Sequence, residues 1–295
     1  MFLGGNTAKE KVINKGVLSR LLLISIAIFF GIVGCSQNAN VTNDNWVDLT
    51  FVLTYKQKQV LCGAEVDLAA KKWRINKFAF FVSNIHVGVD GGRWLHVENV
   101  PNDWQTEQTT LINLVARCSD SNDKNTNATV KFYLPNVVLD DIVKLKFSLF
   151  VPFEQNHLNP LIQAPPLNNA EMFWSWRQGH KFMRVDMQSE EDDWLFHLGS
   201  VGCESVAVVR PPPAPCKQAN QFEIIVPLHI DNRRLEGNNN EYGRRLNMQI
   251  HLERLLDNTE LTSEQSCMFM QSQKASCEVL TSNLVNNRVF TWQPN

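Results

Sequence analysis

The chain has 295 residues, 44% of them hydrophobic, with 28 Lys and Arg against 30 Asp and Glu for a formal net charge of −2. Four of the basic and one of the acidic side chains precede Cys35, so the remainder carries a net of −5. That balance excludes a chain built to grip nucleic acid or an anionic surface through excess positive charge.

Residues 1–34 read as an export signal. Lys9, Lys11, Lys15 and Arg20 form a basic start, and Leu21 to Val33 form an apolar run broken only by Ser25 and Gly31. The run is shorter than a comfortable membrane span and has the length of a signal core. Ile32-Val33-Gly34-Cys35 has the pattern of a bacterial lipobox, in which Cys35 becomes the acylated first residue. An ordinary signal peptide cut nearby, or an uncleaved anchor, is the alternative. Ser36 after the cysteine fits outer-membrane sorting, with the protein facing the periplasm. Residues 35–45 are polar and Asn-rich and read as a tether between lipid and domain. The domain proper is 46–295.

From there strands dominate. Segments 47–55 and 78–89 mix β-branched and aromatic residues. Asp90-Gly91-Gly92 is a hairpin turn, returning through 93–97. Further strands are expected at 109–115, 128–134, 143–151, 181–187, 194–198, 222–230, 246–252 and 289–292, with short helical turns around 264–271 or 169–176. Repeated short strands separated by turn residues predict one all-β domain, a β-sandwich with long loops. No repeat or internal linker divides it, and 232–243 reads as a solvent loop.

Apart from Cys35 the cysteines are even in number: Cys62, Cys118, Cys203, Cys216, Cys267 and Cys277. In an exported chain they imply disulfides, one of fifteen possible connectivities. Pairing neighbours, Cys62–Cys118, Cys203–Cys216 and Cys267–Cys277, is the most economical. Thiolate metal ligation is the alternative that an oxidising compartment disfavours. No Cys-x-x-Cys-His occurs, so the chain attaches no c-type haem of its own.

Residues 150–203 gather His157, His180 and His197 with Trp174, Trp176 and Trp194. Imidazole binds borderline and soft metals such as Zn and Cu, and indole is easily oxidised. Taken alone, the tryptophans read as an aromatic core cluster and each histidine as a turn or core residue bonded to backbone. Trp94-Leu95-His96 would set a ring and an imidazole on one face of a strand, and reads as a hairpin arm. Met268 and Met270 offer soft sulfur, but lie beside Cys267 where disulfide-loop packing is their expected use.

The strings SNIHV (83–87), VPFEQNH (151–157), MFWSWRQGHKFMRVD (172–186), FHLGSVGC (196–203) and PPPAPC (211–216) resemble the metallo-mystery-pair four-Cys proteins, the family of methanobactin-associated periplasmic copper proteins. The resemblance spans 46–292. It implies a copper ion held by histidines beside a tryptophan that a dihaem cytochrome c peroxidase-like partner oxidises to kynurenine. On this sequence it points to His157 and His197 as ligands, to Trp176 and then Trp174 as the oxidised ring, and to His86 as a further neighbour. His180 stands where many relatives would carry Tyr.

The expectation is therefore a lipid-anchored envelope copper protein, not itself an enzyme, acting in copper capture or handling. The alternative is a β-sandwich lipoprotein that binds a non-metal ligand or serves structurally. A hydrolase finds no support: Leu198 stands where Gly-x-Ser-x-Gly around Ser200 would need its first glycine.

Overall fold

Lys71–Val89 forms a single 19-residue strand, and its middle, Phe78 to Ser83, is buried on both faces. A continuous apolar run is what a strand covered on both sides requires. The strand begins well before the expected Phe78 because Trp73 and Ile75, both buried, alternate with lysine and arginine that obscure the pattern. The computed structural model describes residues 46–116, 125–137, 141–227, 244–269 and 275–293. Cys35, Cys118, the signal segment, the tether and the 232–243 loop lie outside these.

Along its length the long strand pairs antiparallel with Glu65–Leu68, Met183–Gln188, Thr109–Val115, Ile142–Leu149 and Trp94–His96, within a 9-stranded sheet. A 6-stranded sheet is built on Trp46–Tyr55, parallel to Arg244–His251 and antiparallel to Thr129–Tyr133. Val47, Leu49, Phe51 and Leu53 alternate into the core, the period-2 signature of a half-buried strand. Phe51 meets Phe80 and Phe147 of the larger sheet edge-on at 5.4 and 5.8 Å. Phe290, from Phe290–Trp292, meets the same two rings at 5.9 and 5.2 Å. These phenylalanines join the inner faces of an all-β, sandwich-like fold, as expected from the strand pattern.

A second layer covers the outer face of the larger sheet. It runs through the helical turn Phe153–Asn156, the 3-10 turn Ala170–Met172, and a ribbon of Phe173–Ser175 against Gly179–His180. Phe81 points outward into this layer, edge-on to His180 at 5.5 Å, and Ser83 Oγ donates to the Phe150 carbonyl.

Cys203–Cys216 and Cys267–Cys277 are disulfides, as neighbour pairing predicts, and Cys62 is also disulfide-bonded. The helix Ala275–Asn286 was not anticipated. Its buried Cys277, Leu280 and Leu284 have helical spacing, but Ser, Thr and Val around them have low helix propensity. Packing and the Cys267–Cys277 bond hold it instead.

Candidate metal centre

Asn156 organises the covering layer. The Pro152 carbonyl accepts the Gln155 and Asn156 amides at 2.9 and 2.8 Å, closing the one-turn helix and turning Asn156 inward. Its Oδ1 accepts the His180 backbone N–H at 2.7 Å, and its Nδ2 donates to His157 Nε2 at 3.1 Å. Gly179 has φ +76°, and a Cβ there would lie 2.5 Å from Asn156 Oδ1. Both observations require glycine.

His157 Nδ1 donates to the Trp176 carbonyl at 3.0 Å. A carbonyl only accepts, so the proton sits on Nδ1 and the Nε2 lone pair is left. That lone pair accepts from Asn156 Nδ2, the nitrogen stands 3.7 Å from Cys216 Sγ, and one donor atom each from His157, Cys203 and Cys216 lies within 4.8 Å of the others. With the sulfurs joined to each other, neither is a thiolate ligand. Burial lowers the His157 pKa, against the Trp176 carbonyl, which favours the protonated ring.

His180 is fully buried. Its Nδ1 faces the Asn156 carbonyl at 3.0 Å and its Nε2 the Leu167 carbonyl at 2.9 Å. Burial pushes its pKa down to about 4, outweighing the two carbonyls that favour protonation. With both nitrogens held against backbone, this ring is a structural wedge.

His197 lies on Asp193–Leu198. Pairing sets it opposite Arg184 on one side and Met268 on the other, so the three share the outer face. His197 Nε2 donates to Asp186 Oδ1 at 2.7 Å, and Arg184 Nε donates to Asp186 Oδ2 at 2.9 Å. Burial alone would raise the Asp186 pKa; the hydrogen bonds from His197 and Arg184 outweigh it and hold the carboxyl at about 2. Burial lowers the His197 pKa, against the Asp186 carboxylate. Two residues on, Gly199 receives the Trp174 ring: a Cβ there would collide with Cζ3 and lie 3.0 Å from the His180 carbonyl. Lys181 Nζ stands 5.6 Å from the Trp174 centroid and donates to the Glu171 carbonyl at 2.8 Å. Burial pushes Lys181 down to about 8. Beside this row opens a cleft of about 510 Å³ lined by Arg74, Lys77, Glu171, Arg184 and Asp186.

At the other end of the long strand, Asn84 adopts φ +54°, a conformation asparagine tolerates better than most residues. Pairing with Ile142–Leu149 shifts register between Ser83 and His86, a bulge of the kind that re-aims a side chain. His86 Nδ1 donates to the Asn84 carbonyl at 2.9 Å, leaving its Nε2 lone pair free to bind. Across the hairpin His86 pairs with His96 and Gly88 with Trp94. The two imidazole centroids are 5.0 Å apart. Trp94 stands on the same face as His96, about 7 Å along the strand. Lys144 and Lys146 Nζ lie 4.5 and 5.0 Å from its ring centroid. His96 also lines a cleft of about 420 Å³ with Glu107 and Glu154.

The family model for MbnP matches residues 44–269. This chain belongs to the MbnP family. Among solved structures, MbnP from Methylosinus trichosporium is similar with a TM-score of 0.63 at 18% identity, covering 80% of this chain and 86% of that one. At that identity the likeness bears on the fold. No curated protein matches the chain.

In this MbnP-family chain the sequence-named residues separate into three places. His157 joins Trp176 and the Cys203–Cys216 bond. His197 joins Asp186, with Trp174 over Gly199 nearby. Among the described residues no hydrogen bond links those two imidazoles. His86 is not in the His197 row: seven residues of strand, about 23 Å, separate it from Ala79, which pairs with Arg184 in that row, whereas Phe153 both lines the His96 cleft and stands 5.2 Å from the His157 ring. Its partner is His96, which the sequence offered only as a hairpin arm. The signal was there in the Trp-x-His spacing and the adjacent Asp-Gly-Gly turn. Asp186 and Met268 were undervalued because cross-strand register is invisible in the sequence.

Proposed function

We propose that this chain is a non-enzymatic copper-handling protein of the cell envelope, tethered by lipidated Cys35, and that His86 and His96 hold the ion beside Trp94. The observation that carries this reading is the facing of two imidazoles at 5.0 Å, with an indole on the same strand face.

The donor set fits copper. Imidazole suits both its oxidation states, and the Asn84 carbonyl fixes the His86 tautomer as a backbone partner fixes a ligating histidine. Bound copper would supply redox chemistry; the residues supply orientation. Trp94 is half-buried, as are Trp174 and Trp176, whereas Trp73 and Trp194 are fully buried in the core; an external oxidant reaches Trp94, and it is the facing histidines, not exposure, that select it. A dihaem peroxidase-like partner, implied by the family, is the proposed oxidant, and kynurenine the proposed product.

A second reading is favoured by the other row: His197 with Asp186 and the soft thioether of Met268, and Trp174 over Gly199. The two readings predict modification in different peptides. Co-expression with the partner, followed by peptide mass spectrometry, should show one carbon exchanged for one oxygen in the peptide containing Trp94. Copper titration of His86→Ala and His96→Ala should show loss of one bound equivalent in each. Modification confined to the 172–186 peptide, with copper unaffected in both variants, transfers the assignment to the His197 row. Neither modification nor stoichiometric copper would end both.

A further inference from the structure

We propose that Cys203, Cys216 and His157 form a second, redox-gated site for a soft cation such as Cu(I), closed while the disulfide is intact and opened by a dithiol reductant. The three donors are brought together by separate parts of the covering layer. His157 ends the Phe153–Asn156 turn, and the two cysteines close the loop with the three consecutive prolines.

The geometry already has ligand spacing. Metal–sulfur and metal–nitrogen bonds of about 2.3 and 2.0 Å at tetrahedral to trigonal angles place ligand atoms roughly 3.6–3.8 Å apart. Cys216 Sγ and His157 Nε2 are 3.7 Å apart, and the Nδ1 bond to the Trp176 carbonyl on the far side of the ring leaves Nε2 unprotonated. Only the two sulfurs must part. The Asn156 Nδ2 hydrogen bond to Nε2 is given up when an ion arrives, while Asn156 Oδ1 keeps the His180 amide.

The balance is simple. A dithiol gives two electrons and two protons to the Cys203–Cys216 bond and becomes a disulfide itself, leaving two thiols. Cation binding then displaces thiol protons to the solvent. Two thiolates and one imidazole form a soft three-donor set suited to Cu(I). A reductant approaches from the Cys203 side, because Cys203 is half-buried whereas Cys216 is buried.

The site is independent of the His86–His96 pair, and thiolate absorption distinguishes them. Full-length protein is titrated with Cd²⁺ under anaerobic conditions, oxidised and after dithiothreitol treatment with the reductant removed. Thiolate-to-cadmium absorption should appear at one equivalent in the reduced protein alone. It should vanish in the Cys203→Ser, Cys216→Ser double variant, and His157→Gln should weaken binding by at least about tenfold. Thiolate absorption retained in the double variant, or an unchanged affinity in His157→Gln, overturns the proposal. So does a loss of far-ultraviolet circular dichroism on reduction that the double variant, reduced alongside, does not share, because a site preformed by the fold must survive opening of that one bond while the other disulfides open in both proteins.

Discussion

His86 and His96 are direct cross-strand partners, joined through the Asp90-Gly91-Gly92 turn, and their rings stand 5.0 Å apart. A tight hairpin fixes this relationship. Register in a hairpin follows from the turn, so two histidines on opposite arms are held together without a long loop closing between them. The bulge at Asn84 adds the orientation, because its carbonyl holds His86 Nδ1.

That bulge can be tested apart from the ligands. Asn84 has φ +54°, which glycine adopts freely and a β-branched residue resists. Asn84→Gly should leave copper affinity near the parent value. Asn84→Val should lower it by about 10- to 100-fold, the range for losing a partner that orients a ligand. Equal affinities in an equilibrium competition with a chelator would separate the bulge from metal binding.

Gly179 and Gly63 both have φ +76°, but a Cβ at Gly179 meets Asn156 while nothing lies within 4 Å of one at Gly63. Gly63→Ala should cost about 1–2 kcal/mol from backbone conformation alone. Gly179→Ala should cost about 2–4 kcal/mol, with the clash added. Denaturant unfolding of the two variants measures the difference directly.

Stability should fall with acid through two windows. His180 has a folded pKa of about 4, below its ordinary 6.5. Between those values the unfolded chain binds a proton that the folded one refuses, so stability rises with pH. The contribution is fully present above 6.5 and is lost as pH falls toward 4, about 3 kcal/mol in all. Asp186, held at about 2 against 3.8, adds the same sign lower down, present above 3.8 and lost toward 2. His180→Gln should reduce the slope of the unfolding free energy between pH 6.5 and 4, leaving the share of the other histidines that burial lowers, His157, His197 and His251, and leave the lower window in place.

Phe51 bridges the sheets through Phe80, Phe147 and Phe290. Its exposure is 1%, so Phe51→Ala removes a large buried ring and leaves a cavity. The expected cost is about 3–5 kcal/mol, read from the urea midpoint with the disulfides intact. A loss below 1 kcal/mol would mean the sheets close over the gap.

The fold was largely legible. Alternation in 46–55, turn residues at 90–92 and short apolar segments are local signals with a period of 2, and they returned an all-β domain. The neighbour-paired disulfides Cys203–Cys216 and Cys267–Cys277 were also readable, because short loops need little chain to be ordered. The helix Ala275–Asn286 was not, since its local preference runs against the packing that holds it.

The chemistry was legible as residue types and illegible as places. The sequence gathered His157, His197, Trp174 and Trp176 into one short span, and it was the family resemblance that pointed to them as site residues and added His86. Which rings meet was decided by strand register, which sets His86 against His96 and His197 against Met268, and by the covering layer, which turns His157 toward Cys216. The physical reason is that side-chain type is a local property. Proximity between strands depends on hydrogen-bond pairing, where a slip of one residue sends every side chain to the opposite face.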